Sequence, residues 1–440
     1  MFEDNLRTLF TLEAEADQPP SQISVPVAGR NARVRQRRRR ALMIGSPVLA
    51  AAAVIAVIAT SVALAGGGER IPRPTSPTGP AMPLAVPGSA SWTRLPRAPI
   101  GPRSEYAAVW TGKEMIVWGG YSSTAQYGDG AAYDPATRTW TKIAAAPLSA
   151  RILPVAVWTG KDMLIFGGAG NSNYSDGAAY DPATNTWRRL APIPGSLGGN
   201  LTGTGSYAVW TGKVMVAWGF FGHGGGAHGG GSLAAATYNP ATNSWTAGTA
   251  APAQAPLSGD AFWTGKEMIV WGSSPDSPDH LEGVAYDPAT RTWSTLPASP
   301  LGRVGRESML AVWTGRYLVV GGGDNPADLR LQKDAAAYDP VTNSWMRLPD
   351  APVGFEGNGT APDIWTGASA ITIEDGVPCG RPLSLDLTTR SWSLGPTAPV
   401  PGRQEAHEFW TGSEVLVWGG GVPVGNSCCK TVKPGYSYTP

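Results

Sequence analysis

The residues that could do chemistry in this 440-residue chain are few and far apart. His223 and His228 lie in Phe221-Gly222-His223-Gly224-Gly225-Gly226-Ala227-His228, a segment pliable enough to bend two imidazoles onto one metal. Two histidines with no carboxylate or thiolate beside them leave such a site short of ligands, so a glycine-rich loop is expected and neither metal nor cofactor is. Glu105 and Glu405 stand at equivalent points, two residues after Arg103 and Arg403, with His407 close behind. They could act as acid and base, yet pairing with those arginines explains them as well. The pairs Gly112-Lys113, Gly160-Lys161, Gly212-Lys213 and Gly265-Lys266 look like phosphate loops. No Ser or Thr follows the lysine and no helical pattern begins there, so they read as hairpin turns. A Gly-x-Ser-x-Gly elbow and a paired-carboxylate motif are both missing.

The elements that must position these residues are written in tryptophan. All 18 fall at one of three recurring positions. The first heads Trp-Thr-Gly at Trp110, Trp158, Trp210, Trp263, Trp313, Trp365 and Trp410, spaced 45 to 53 residues apart. The second closes an apolar run at Trp118, Trp218, Trp271 and Trp418, with Phe166 and Val320 expected to replace it elsewhere. The third comprises Trp92, Trp140, Trp187, Trp245, Trp293, Trp345 and Trp392. A period near 50 residues without helical signal predicts one propeller blade per repeat. The 57 glycines and 40 prolines, with only 15% charged residues, fit many short strands and tight turns.

In blade 1, Tyr106 to Trp110 reads as strand a, Thr111-Gly112 as a hairpin turn and Lys113 to Trp118 as strand b. Ala131 to Tyr133 is strand c, Asp134-Pro135-Ala136-Thr137 a type I turn, and strand d starts at Trp140. The last repeat stops at Tyr436-Ser437-Tyr438-Thr439-Pro440, before a strand d. Ser91-Trp92-Thr93-Arg94-Leu95-Pro96 is a strand d with nothing before it. Pairing the two would close the ring and remove two sheet edges. The fold expected is therefore an all-β, seven-bladed propeller over 91–440, closed by an N-terminal outer strand.

These repeats resemble the kelch family, and the central domain of galactose oxidase that shares its fold. The likeness rests on the double glycines Gly119-Gly120, Gly167-Gly168, Gly321-Gly322 and Gly419-Gly420, on Tyr133, Tyr180, Tyr238, Tyr286 and Tyr338, and on the third tryptophan series. Arg103, Arg151, Arg306 and Arg403, each seven residues before a first-series Trp, match an arginine common in such repeats. Blade 6 departs from the pattern, with Glu374-Asp375 for the double glycine and Leu385-Asp386-Leu387 for the Tyr-Asp-Pro turn. The oxidase's copper chemistry needs tyrosines, histidines and a crosslinked cysteine. With four histidines in all and no cysteine in blades 1 to 5, it is not expected here.

A meander of this kind puts a-to-b and c-to-d turns on one face and b-to-c and d-to-a loops on the other. Only the second face varies along the chain, from Ala169 to Gly177 up to Phe220 to Ser232 and Gly421 to Pro434. Variable loops on a rigid scaffold are where binding residues collect. The candidates there are Asp276, Asp279, His280 and Glu282 in blade 4, Asp324, Asp328, Arg330 and Lys333 in blade 5, and Lys430 and Lys433 in blade 7. Such mixed charge suits sugars or a protein, and a net charge of +1 gives no pull toward nucleic acid. Cys379 falls in this region of blade 6 and Cys428 and Cys429 in that of blade 7. A Cys379–Cys428 disulfide is expected, with free thiols or a 428–429 link as alternatives.

Residues 41–65 carry no charge and are long enough to span a bilayer as one helix. The basic run 33–40 before them would hold residues 1–40 in the cytoplasm, where they form a tail resembling those of actinobacterial, hence bacterial, membrane proteins that hold sigma factors. A cleaved signal peptide ending at Ala65 is the alternative. Residues 66–90, rich in Gly, Pro and Ser, read as a stalk. The resulting expectation is a single-pass protein of the cell membrane, with an extracytoplasmic propeller that binds carbohydrate or a surface protein. A sugar-active enzyme with polar strand-a residues at the central opening, or a sensor relaying ligand capture to a cytoplasmic regulator, are the alternatives.

Overall fold

Thr111 shows why the first turn of each repeat varies so little. Its Oγ1 accepts the backbone N–H of Glu114 at 2.9 Å and donates to the Glu114 carbonyl, while Gly112 takes φ +89°. The same threonine closes the turn in all seven repeats, at Thr111, Thr159, Thr211, Thr264, Thr314, Thr366 and Thr411. In the c-to-d turn, Asp134 Oδ1 accepts the N–H of Ala136, and Arg138 then turns left-handed at φ 54°. Asn185, Asn243 and Asn343 occupy that left-handed position in blades 2, 3 and 5, where each accepts the hydroxyl of its blade's strand-c tyrosine.

The computed structural model describes residues 90–195, 206–221, 232–256, 258–274, 277–302, 306–325, 330–357, 363–373, 380–399, 403–424, 427–432 and 434–440. The expected tail, membrane helix and nearly all of the stalk lie outside them. Among the described residues, no helix is long and apolar enough to cross a membrane.

The chain opens with β1 (Ser91–Arg94). Blade 1 follows as β2 (Ala107–Trp110), β3 (Met115–Trp118), β4 (Gly130–Asp134) and β5 (Thr139–Lys142). Blade 2 is β6 (Val155–Trp158), β7 (Met163–Phe166), β8 (Gly177–Asp181) and β9 (Thr186–Leu190). Blade 3 is β10 (Tyr207–Trp210), β11 (Met215–Phe221), β12 (Ser232–Asn239) and β13 (Ser244–Ala250). Blade 4 is β14 (Ser258–Trp263), β15 (Met268–Ser274), β16 (Ser277–Asp287) and β17 (Thr292–Thr295). Blade 5 is β18 (Leu310–Trp313), β19 (Leu318–Gly321), β20 (Ala335–Asp339) and β21 (Ser344–Leu348). Blade 6 is β22 (Ile364–Trp365), β23 (Ser369–Ile373), β24 (Pro382–Asp386) and β25 (Ser391–Leu394). Blade 7 supplies β26 (Gln404–Trp410), β27 (Val415–Val424), β28 (Ser427–Thr431) and β29 (Tyr436–Thr439).

Blades 1 to 6 are antiparallel meanders in chain order, with the a strands β2, β6, β10, β14, β18, β22 and β26 neighbouring one another at the centre. Blade 7 runs β26, β27, β29, β1, with Ser91 opposite Thr439 and Trp92 opposite Tyr438. The ring closes as the unfinished repeat implied. Blade 6, least regular in sequence, still forms four strands, because Asp386 keeps the turn by accepting the N–H groups of Thr388 and Thr389.

The tryptophan series divide the work of packing. Those of the second are buried, and each packs on the third-series Trp of the next blade, as in Trp218 against Trp293 at 5.2 Å and Trp418 against Trp140 at 5.4 Å. The first and third series are half-buried at blade edges, so only part of each ring belongs to the interblade core. The third series also donates hydrogen bonds. Each indole N–H reaches the carbonyl four residues beyond the preceding blade's own third-series Trp: Trp140 to Pro96, Trp187 to Ala144, Trp245 to Ala191, Trp293 to Thr249, Trp345 to Pro297, Trp392 to Pro349 and Trp92 to Pro396. Distances of 2.8 to 3.1 Å make seven equivalent latches, and the last is made by the N-terminal strand.

Blade 5 corrects the sequence alignment by one residue. Leu310 pairs with Gly321 as Ala107 pairs with Trp118, so the second-series position holds Gly321, not Val320. The double glycine is Gly322-Gly323, with φ +63° and +80°, not Gly321-Gly322. Phe355 from the following d-to-a loop packs against Gly322 and meets Trp392 in a tilted contact at 5.2 Å, doing for this interface what a second-series aromatic does elsewhere.

Candidate functional site

The variable loops share one face, pinned together by backbone pairing. Isolated bridges join d-to-a to b-to-c loops at Ser104 and Tyr121, Ile152 and Ala169, and Glu307 and Asp324. Beneath them lie the repeat arginines. Arg103 is fully buried, donates to the carbonyls of Gly119 and Asp129, and pairs with the Asp129 carboxylate at 2.9 Å. Arg151 does the same with Gly167 and Asp176, while Arg306 donates to the carbonyls of Gly322 and Leu301 and pairs with the Asp334 carboxylate. Arg403 donates to the carbonyls of Gly419 and Pro434, and burial lowers its pKa to about 10. These four arginines staple each blade's loops from below. The cation faces its own blade's carbonyls and carboxylates, not a ligand.

Glu105 and Glu405 have a backbone reason to be equivalent. Both turn left-handed, at φ 53° and 63°, and so do Leu153 and Ser308 at the same offset in blades 2 and 5. The conformation repeats while the side chain does not. The Glu105 carbonyl accepts the Leu153 N–H at 2.8 Å, tying blade 1 to blade 2. His407 is tied into the ring closure. Its backbone N–H donates to the Tyr106 hydroxyl, which itself donates to the Trp418 carbonyl, and its Nε2 meets the Tyr106 carbonyl at 3.1 Å. Burial lowers the imidazole pKa to about 4, so His407 is neutral near pH 7, with the proton on Nε2.

The remaining sequence candidates scatter. Arg330 is exposed on the loop face, and Lys333 there reaches Asp350 at 3.8 Å. Asp324 is fully buried beneath the face rather than presented on it. Asp279, His280 and Glu282 lie on β16, which runs with β15 as a hairpin extended toward this face, Glu282 opposite Gly272. Blades 3 and 7 carry similar extensions, β11 with β12 and β27 with β28. Lys430 and Cys428 lie on β28. His223, His228, Asp276, Asp328, Lys433 and Cys379 lie outside the described residues, and with them the expected disulfide.

What the structure gathers is a set of carboxyls on the inner strands that local motifs did not reveal. Asp260 in β14, Asp363 just before β22 and Glu408 in β26 are each less than a tenth exposed. Asp363 Oδ2 accepts the Ala311 N–H of blade 5 at 2.9 Å, and its own N–H donates to the Ala311 carbonyl. Burial first, then the Asp363 charge, raises the Asp260 pKa to about 7 and holds that of Glu408 well above the carboxylate range. Glu408 Oε2 is buried without a hydrogen-bond partner. The Tyr207 hydroxyl lies beside Asp260 and accepts the Gly259 N–H at 3.3 Å, while burial keeps the phenol protonated. The register was available in sequence: two residues before the first-series Trp stands Ala in blades 1 to 5, but Asp363 and Glu408 in blades 6 and 7. Among the described residues, no three or more His, Cys, Asp or Glu side chains gather closely enough to hold a metal ion.

A family model described as the KLHDC2/KLHL20/DRC7 Kelch-repeats domain matches residues 86–219, spanning blades 1 and 2 and the start of blade 3. Among solved structures, the chain is similar to a fungal alcohol oxidase of the AA5 family in complex with copper, with a TM-score of 0.59 at 15% identity, over 80% of this chain and 77% of that one. It is also similar to YjhT, with a TM-score of 0.50 at 13% identity, over 69% of this chain and 99% of that one. No curated protein matches by sequence. Residues 91–440 are thus a seven-bladed β-propeller whose first two blades match a kelch-repeat family model and whose fold is like that of the AA5 oxidase. Identities this low carry the fold and nothing of the oxidase's chemistry. The architecture is one suited to binding and protein interaction.

Proposed function

We propose that this protein is a single-pass membrane protein whose extracytoplasmic propeller binds carbohydrate or a surface protein through its loop face. The observation that carries this reading is the inequality of the two faces. One repeats the same threonine turn in every blade and an Asp or Asn turn in blades 1 to 6, while the other bears extended hairpins in blades 3, 4 and 7 and mixed charge at Arg330, Lys333 and Asp350. A stiff ring of latched blades holds such loops still, which lowers the ordering cost of binding. The uncharged run 41–65 and its basic flank support the anchor.

The test is a glycan array probed with the full chain in mild detergent. Binding abolished by Arg330→Ala and untouched by Lys266→Ala, on the opposite face, supports the reading. Equal loss from both changes, or no ligand at all, counts against it. Asp260 favours a second reading, a sugar-active enzyme, because a carboxyl with a pKa of about 7 can give and take a proton near neutrality. Turnover of a bound sugar, abolished by Asp260→Asn with binding retained, would select it.

A further inference from the structure

We propose that the inner-strand carboxyls of blades 4, 6 and 7 form a subsite for a primary ammonium group carried by the ligand. This deepens the loop-face reading and rests on it, since the ammonium would enter from that ligand.

Four observations lead there. First, the carboxyls come from the strands that end each sheet at the centre, β14 and β26, and from the residue entering β22. The a strands neighbour one another at the centre of the ring, and Asp363 lies near enough to Asp260 and to Glu408 for its charge to act on both. Second, Glu408 is more than nine-tenths buried with Oε2 unpartnered, and a buried carboxyl oxygen left without a donor destabilises the fold unless a ligand supplies one. Third, among the described residues the charge that acts on Glu408 and on Asp260 is that of Asp363, which has their own sign. The repeat arginines are committed to Asp129, Asp176, Asp334 and the Pro434 carbonyl, and His407, next to Glu408 in the chain, is held neutral against Tyr106. Fourth, the carboxyls are not drawn together tightly enough to share a metal ion. An ammonium group has three donors and can reach separated oxygens through individual charge-assisted hydrogen bonds.

No covalent step is involved. The ammonium donates to Glu408 and Asp260, and any proton those carboxyls hold is released to solvent as it binds, so affinity falls as pH is lowered. The ammonium could belong to an amino sugar or to a lysine of a protein, and the probes must separate these sources.

Isothermal titration of the full chain in mild detergent, at pH 7 and pH 5, with glucosamine, glucose and Nα-acetyl-lysine amide, tests the proposal. Glucosamine should bind about tenfold more tightly than glucose at pH 7, lose most of that advantage at pH 5, and lose it at pH 7 in Glu408→Gln and Asp260→Asn. Tighter binding of the lysine amide than of glucosamine assigns the ammonium to a protein partner. Thermal melts of both variants establish that they fold. Equal affinity for glucosamine and glucose, an advantage unchanged in both variants, or no binding by either ammonium probe overturns the subsite. Neutral glycans captured on the array, with loss in Arg330→Ala, would leave the loop-face reading standing while this inference falls.

Discussion

Replacing Asp260 by Asn should change how stability depends on pH, and the structure gives the size. Burial against Tyr207 and Gly259, with Asp363 beyond, lifts the carboxyl from its ordinary 3.8 to about 7. At about 1.4 kcal/mol per pH unit, that corresponds to about 4 kcal/mol. The folded state holds the proton more tightly than the unfolded chain. The contribution is therefore fully present below pH 3.8 and is lost as pH rises toward 7, after which ionised Asp260 weighs against the fold by about that amount. An amide at 260 does not ionise, so it imposes a constant cost or gain. Guanidinium unfolding of the full chain in mild detergent, followed by tryptophan fluorescence at pH 4, 5, 6, 7 and 8, gives the difference between variant and wild type. That difference should move in favour of Asp260→Asn by about 1.4 kcal/mol per pH unit through this window and level off above pH 7. Parallel curves across the window would refute the reasoning, because they would mean that Asp260 titrates alike in both states.

Three further outcomes are expected. Arg151→Leu should lower stability by about 3 kcal/mol, the low end for breaking a buried pair because the Asp176 side chain retains some solvent, and a fall in Tm measured by calorimetry checks it. Trp92→Phe and Trp187→Phe should each cost about 1 kcal/mol for one lost N–H bond, while deletion of residues 91–96 costs about 3–5 kcal/mol or more by exposing β29; an unchanged Tm after the deletion would contradict the closure. Non-reducing peptide mapping of protein made in an oxidising compartment should recover Cys379 linked to Cys428, and recovery of the 379 peptide alone would exclude the bridge.

The fold could be read because its signals are local and repeated. Thr-Gly and Asp-Pro turns act within four or five residues, and an orphan strand at Trp92 beside a truncated repeat at Thr439 leaves one way to complete the sheet. Blade 5 misled by a single residue because Val320 and Gly321 both follow an apolar run, and only pairing with Leu310 fixes which takes the tryptophan position. Phe355 was invisible as its replacement, since it arrives from the next blade's loop. The carboxyls were missed for a related reason. Asp260, Asp363 and Glu408 are far apart in the chain, and no short motif links residues that only ring geometry brings together. The loop-face candidates suffered the opposite error. Asp324 looks like surface in a polar loop, yet its backbone pairing with Glu307 draws it inside.

The closing strand also decides how the molecule bears a mechanical load. Whatever restrains the chain ahead of residue 90 pulls on β1, the outermost strand of blade 7, from the end where Ser91 faces Thr439. Tension applied there unzips the ladder one pair at a time rather than shearing all of it together, and Trp92 with its bond to Pro396 is the second rung to feel it. The strand that completes the ring is thus its mechanical fuse. Under pull it yields first, exposing the edge of β29 and releasing the latch to Pro396, while the six meanders made from contiguous chain keep their pairing.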